Sequence, residues 1–235
     1  MTMINVFPNL QDWAEASAQL VVETLDTALK TKGHALFAGS GGSTPSPIYA
    51  QMQGAEIDWS RVHVTLVDER YVHETSKDSN ATLLKTDLLQ GKAARAQFIP
   101  LYSPSVTVDR AAAEATKALE AVGGHIDAAL LGMGEDGHIC SIFPFSPTLK
   151  TLLTPTLKPA VYGVPVGRDG LAPSLERLSI NLPYLIEADR VVLALKGKTK
   201  RDVFEREAAG DPAIHPIAAL IAAGVKLDVL WTEGA

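Results

Sequence analysis

A single cysteine, Cys140, stands among the 235 residues, so neither an internal disulfide nor a CxxC metal or redox motif can form. The six histidines, His34, His63, His73, His125, His138 and His215, show no HExxH or other close ligand spacing, and no dedicated metal site is expected. No stretch approaches the roughly 18 unbroken apolar residues that span a bilayer, and the first residues lack the basic-then-apolar pattern of a secretory signal. The expectation is a protein of the cytoplasm with no membrane partner. Lysine and arginine form no run that could track a nucleic-acid backbone, and the formal charge of −6 argues against that class of partner. If an anion binds, a few placed cations must hold it. What remains is ordinary globular composition, 46% hydrophobic and 20% charged, and one domain over residues 1–235 is expected.

Asn9 is placed to cap an amphipathic helix in which Leu10, Trp13, Leu20, Val21, Leu25, Ala28 and Leu29 recur at helical spacing, with Gly33 as its stop. Residues 34–38 then read as a short strand, 39–45 as a glycine loop, and a helix begins near Pro47. The unit recurs. Residues 62–67 read as a strand, 68–78 as a loop, and Ser79 as the cap of a helix reaching Leu89. A weaker strand at 97–101 and an alanine-rich helix at 108–122 lead to residues 126–131, apolar enough for burial on both faces of a parallel sheet. Residues 146–173 carry five prolines and little periodicity, so an irregular excursion with one strand at 161–164 is expected. Order returns at 178–182, followed by a strand at 190–195, helices at 198–208 and 217–223, and a closing strand at 227–231. Strands alternating with helices imply a doubly wound, mostly parallel α/β sheet flanked by helices, Rossmann-like, with ligands beyond the carboxyl ends of its strands.

Loops that follow apolar strands would meet at that edge. Gly39-Ser40-Gly41-Gly42-Ser43-Thr44-Pro45 offers glycines for close approach and several N–H groups, an anion nest or a plain turn. Asp68-Glu69-Arg70 at a strand end reads as an anion clamp with orienting carboxylates, or as a solvated charge cluster; Asp78-Ser79-Asn80 is similarly ambiguous with a helix cap. Gly132-Met133-Gly134-Glu135-Asp136-Gly137-His138 is a literal GxGxxG. A dinucleotide site is not expected, because no Asp or Glu lies between Asp136 and Asp169 to hold the ribose. His138 ends this loop where it can reach the working edge. Cys140 competes as a nucleophile, but two residues away it does not face His138, and it reads as a buried small hydrophobe. Gly197-Lys198-Thr199-Lys200 opens a helix without the glycine a P-loop needs at Val192; Lys198 reads as solvated and Lys200 as able to turn inward.

Together, Gly41-Gly42-Ser43-Thr44-Pro45, Val67-Asp68-Glu69-Arg70 with Asp78-Ser79-Asn80, Leu131 to His138 continuing to Ser141-Ile142-Phe143-Pro144, Arg177-Leu178-Ser179-Ile180-Asn181-Leu182-Pro183 and the 197–200 turn resemble the 6-phosphogluconolactonases. These stand in a wider fold group with glucosamine-6-phosphate deaminases and ribose-5-phosphate isomerases. The deaminases typically have Asp-Glu-Tyr in place of Asp68-Glu69-Arg70, and Phe-Asn-Glu-Pro in place of Ser141 to Pro144. Those two differences select the lactonase. The chain departs from the family at His73 and Glu135, where proline is common.

The resemblance implies hydrolysis of 6-phospho-glucono-δ-lactone without a cofactor, in the oxidative pentose phosphate or Entner–Doudoroff route. It implies Arg70 and Lys200 on the phosphate with the glycine loop, and His138 as base. Gly41, Gly42, Ser43, Asp68, Asn80 and Arg177 complete the expected binding set, with Arg177 lining the pocket or paired to Glu69. Asp136 orients His138 or shapes the turn. The competing reading is a sugar-phosphate isomerase or deaminase in which Asp68 and Glu69 move protons at carbon. A third is a sensor that keeps the pocket without the chemistry, against which the intact His138 speaks.

Overall fold

The structure, a computed structural model, describes residues 3–105, 107–168 and 172–234. Strand β1 (Ile4–Phe7) leads into α1 (Leu10–Lys32), β2 (Ala35–Gly39), α2 (Ser46–Met52), β3 (Val62–Leu66), β4 (Asp68–Arg70) and α3 (Asn80–Asp87). There follow β5 (Gln97–Phe98), α4 (Val108–Glu120), β6 (Ala128–Leu131), α5 (Leu149–Leu152), β7 (Val161–Val164) and β8 (Arg177–Ile180). The chain closes with α6 (Leu182–Glu187), β9 (Arg190–Lys196), α7 (Lys198–Ala208), α8 (Pro216–Ala222) and β10 (Leu227–Thr232).

Helix α1 forms where its periodicity predicts. Asn9 accepts from the Asp12 amide at 2.8 Å, and Gly33 takes the left-handed conformation that ends the helix, φ 82°. Its buried stripe, Trp13, Ala14, Ser17, Ala18, Val21, Leu25, Ala28 and Leu29, lies across the sheet, and the Trp13 indole donates to the Leu230 carbonyl at 3.1 Å. Leu25 is fully buried, so truncation to alanine there costs about 2–5 kcal/mol.

Among the described residues, seven strands pair in parallel in the order β1-β10-β9-β6-β2-β3-β5. From β2 the chain winds outward through β3 and β5, then crosses to the other flank for β6, β9 and β10, with the N-terminal strand β1 at that edge. The reversal falls between β2 and β6, whose register joins Phe37 to Ala128 and Ala38 to Ala129. The loops leaving those two strands must diverge, and a crevice opens between them. All four residues of β6 are buried, as expected for a strand covered on both faces.

The second sheet was not expected. Residues 68–70, read as the start of a loop, form β4, which pairs antiparallel with β8, itself paired with β7. Three further elements lay outside the sequence reading: β1, four residues long, the one-turn helix α5, and α6, which begins at Leu182, where the ordered run 178–182 was read to end. Asn181 precedes α6 and Pro183 sits in its first turn, a start signal hidden by the apolar run around it. Residues 146–173 are largely irregular apart from α5 and β7; residues 169–171 of that excursion lie outside the described residues.

Candidate active site

Strand alternation sorts the Asp68-Glu69-Arg70 triplet. Successive side chains point to opposite faces, so Asp68 and Arg70 line a cavity of about 300 Å³ at the crevice, while Glu69 turns away. Glu69 is buried and accepts from the amides of Arg70, Asn80 and Ala81 at 2.7, 2.7 and 2.8 Å and from the Ser79 hydroxyl at 2.9 Å. Burial pushes its carboxyl up and these bonds oppose that shift. It therefore pins the start of α3 to β4. The Arg177–Glu69 pair considered from the sequence does not form; Arg177 Nη1 lies 3.7 Å from Asp68 Oδ2 instead, because Arg177 is on the cavity face of β8.

The register of β4 and β8 sets Arg70 directly opposite Arg177. Like charges in that relation repel, and both side chains line the cavity. Arg70 Nη1 donates to the Asp78 carbonyl at 2.6 Å, yet the Nε atoms of both arginines are buried and have no partner among the described residues. Burial, with Arg70 beside it, lowers the Arg177 pKa, and Asp68 opposes this. Lys200, on the first turn of α7, adds a third cation; its ammonium donates to the Met133 carbonyl. Burial lowers its pKa against Glu135 and Asp136. Lys198 instead pairs with Asp202 at 2.6 Å on the exposed face. Three cations around one cavity in a chain of net charge −6 make a local anion trap.

His138 ends the tight loop after β6, in which Gly134 N–H donates to the His138 carbonyl at 2.8 Å and Gly137 N–H to the Gly134 carbonyl at 3.1 Å. Its Nδ1 lies 2.5 Å from Asp136 Oδ1. A carboxylate only accepts, so Nδ1 carries the hydrogen, and whenever the ring is neutral its lone pair is on Nε2. The same oxygen accepts from the His138 amide at 3.3 Å, so Asp136 both shapes the turn and orients the ring. Burial raises the Asp136 pKa, but the bond from His138 and its charge prevail, holding the carboxyl below its usual range. A Cβ on Gly134 would lie 2.2 Å from both Asp136 Oδ1 and His138 Nδ1; glycine there makes room for the pair. Phe143 lies beneath the imidazole, with ring centroids 4.4 Å apart, and also beneath the Arg177 guanidinium at 5.9 Å.

Gly41, Gly42 and Ser43 line the cavity, and among the described residues their amides have no acceptor within the chain. Asn80 does not line it. Its amide donates to the Asp68 carbonyl at 2.9 Å, and a Cβ on Gly41 would strike it at 1.9 Å; Asn80 supports the glycine loop from behind. Ser141 is a residue that sequence reasoning missed. Fully buried, its hydroxyl donates to Asp68 Oδ2 at 2.6 Å and its backbone N–H donates to Ser179 Oγ at 3.1 Å. Its place in the quoted motif was the available signal. Cys140 is buried as expected but also borders the cavity; burial and then Asp68 push its thiol well above the ordinary range.

Fold and cavity define a doubly wound α/β protein with a cationic ligand cleft and a carboxylate-oriented histidine at its topological switch point. A sequence model of the glucosamine-6-phosphate isomerases/6-phosphogluconolactonase family matches residues 8–231. A 6-phosphogluconolactonase of Caulobacter vibrioides is 36% identical over 231 residues, covering 98% of this chain and 97% of its own length. That of Rhizobium meliloti is 37% identical over 230 residues, 97% of each chain. The crystal structure of a 6-phosphogluconolactonase from Shewanella baltica matches at a TM-score of 0.89 and 30% identity, covering 99% of this chain and 98% of that one. A monomeric glucosamine-6-phosphate deaminase shares the fold alone, at a TM-score of 0.76 and 16% identity. The chain belongs to the glucosamine-6-phosphate isomerase/6-phosphogluconolactonase family, and within it to the 6-phosphogluconolactonases. No helix among the described residues is long and apolar enough to cross a membrane.

Proposed function

We propose that this chain hydrolyses 6-phospho-glucono-δ-lactone to 6-phosphogluconate, with His138 activating the attacking water. The observation that carries the reading is the convergence on one cavity of Arg70, Arg177 and Lys200 with the His138–Asp136 pair. The three cations suit the phosphate dianion, and binding energy gained there orients the ring at a distance. A δ-lactone is already an activated ester, so no covalent nucleophile is required. His138 Nε2 takes a proton from water as its oxygen attacks C1, amides of the glycine loops stabilise the resulting oxyanion, and the imidazolium returns the proton to the departing ring oxygen. The new carboxylic acid ionises, so each turnover releases one proton.

The alternatives fare worse. Cys140 is a thiol rather than a thiolate, which disfavours a cysteine hydrolase. Of the two carboxylates that move protons in the isomerase or deaminase reading, Glu69 is held by four donors on the far face of β4, and Asp68, though it lines the cavity, is engaged by the Ser141 hydroxyl at 2.6 Å and lies 3.7 Å from Arg177. The test is proton release above the spontaneous rate when purified protein meets freshly made 6-phospho-glucono-δ-lactone. Ammonia release from glucosamine 6-phosphate, without lactone hydrolysis, would overturn the reading in favour of the deaminase.

A further inference from the structure

Glu207, near the end of α7, takes no part in the reaction described above, yet it is only 3% exposed. A buried carboxylate needs compensation. His215 Nδ1 lies 2.6 Å from Glu207 Oε2, and Arg206 Nη2 lies 2.9 Å from Oε1. The remaining side of the carboxylate meets backbone: a Cβ built on Gly137 would come within 2.4 Å of Glu207 Cδ and Oε2. Gly137 separates Asp136 from His138 and is left-handed, φ 86°. The carboxylate is therefore packed against the turn that joins the two members of the oriented pair.

Helix geometry extends the contact. Lys200 and Glu207 are seven residues apart, two turns, and so share a face of α7, with Val203 and Phe204 buried between them. Lys200 holds the Met133 carbonyl at the start of the loop; Glu207 abuts its end. Two fixed partners hold the Glu207 side chain in one rotamer, which an apolar side chain of similar size would lack.

We propose that Glu207 is a positioning residue for the reaction: clamped by His215 and Arg206, it walls the Gly137 turn and so fixes His138 against Asp136. This inference rests on the reading of His138 as base. Because the role is contact and not charge, Glu207→Gln, which keeps length and acceptor, retains turnover within about threefold of the wild type, whereas Glu207→Asp, which keeps charge but withdraws by one methylene, loses about tenfold in kcat. KM stays within about threefold in both, since Arg70 and Arg177 are untouched. In the ligand-free enzyme, imidazole 15N shifts of His138 show the Nδ1–H tautomer in wild type and Glu207→Gln, and a mixture in Glu207→Asp. His215→Ala, which frees the carboxylate from the other side, gives the same loss should Glu207→Asp not fold. Wild-type kcat and tautomer in Glu207→Asp, or impairment of Glu207→Gln alone, overturns the proposal. If even the wild type leaves the lactone untouched, the functional reading fails, while the ligand-free shifts still decide whether Glu207 positions the pair.

Discussion

Gly134→Ala isolates the geometry of the His138–Asp136 pair without removing either member. Gly134 does not take a positive φ, so alanine fits its backbone, and the loop's amide bonds to His138 and from Gly137 can persist. The methyl, however, would stand 2.2 Å from both Asp136 Oδ1 and His138 Nδ1, where ordinary contact begins at 3.4 Å. One or both side chains must move by more than about 1 Å, a displacement that typically costs on the order of 10²-fold in rate, or about 2.7 kcal/mol of activation free energy. The expected outcome is a folded enzyme with kcat lowered about 10²-fold and KM little changed, because the cations of the cavity lie on other elements. Proton release in weakly buffered indicator solution gives both constants, and circular dichroism checks the fold. A folded Gly134→Ala enzyme with wild-type kcat would refute the argument that this pair, so held, performs the chemistry.

His138→Asn is expected to fold, to bind substrate nearly as well as the wild type and to lose roughly 10²- to 10⁴-fold in kcat, the usual share of a general base; steady-state kinetics on the same assay checks it, and a matching collapse in Cys140→Ser would redirect the mechanism to the thiol. A pH effect is expected at Glu114, whose carboxyl is held near 2 by hydrogen bonds from Ser103, then Ser105, then Arg110, against an ordinary 4.5. A depressed folded-state pKa contributes stability above the unfolded value and loses it as pH falls through the folded one. The melting-temperature gap between wild type and Glu114→Gln should thus be full at pH 6 and close as pH falls from about 4.5 to about 2; a gap that widens on acidification contradicts the assignment.

Much of this was legible because it is local. The α1 stripe repeats every three to four residues, Gly33 and Asn9 punctuate it, and the short apolar run before Gly132 suits a strand buried on both faces. The glycine loops, His138 and Lys200 followed from their positions after strands, sharpened by the resemblance to a family. What escaped was non-local. Nothing in the three residues Asp68-Glu69-Arg70 names β8 as their partner more than a hundred positions later, and without that pairing the opposite faces of Asp68 and Glu69 cannot be assigned. The expectation that Arg177 might meet Glu69 failed for this reason, and Asn80 was placed at the ligand when it stands behind Gly41. Strand β1, four residues long, is too short for an alternating pattern to stand out. Glu207 looked like one more charge on a helix until the fold put Gly137 against it.

The pairing of Arg70 with Arg177 invites a last argument about stability. Two guanidiniums held directly across an antiparallel ladder, with buried Nε atoms that have no partner among the described residues, raise the free energy of the ligand-free protein. Asp68 only partly compensates, since it lies 3.7 Å from Arg177 and is also engaged by Ser141. The arrangement persists because Glu69 and Ser79 pin β4 to α3. A phosphate dianion would supply the missing acceptors, so the folded state should gain stability by mass action. At a ligand concentration a hundred times Kd the gain is about 2.7 kcal/mol, which for a domain of this size corresponds to a rise of roughly 5–10 °C in melting temperature. With 6-phosphogluconate as ligand, Arg177→Met should lose most of that rise, because it removes one fork and leaves the strand apolar and well packed, and its KM for the lactone should increase. Gluconate, which lacks the phosphate, should shift neither protein. An equal shift by gluconate and 6-phosphogluconate in the wild type would mean that the arginine pair does not hold the phosphate.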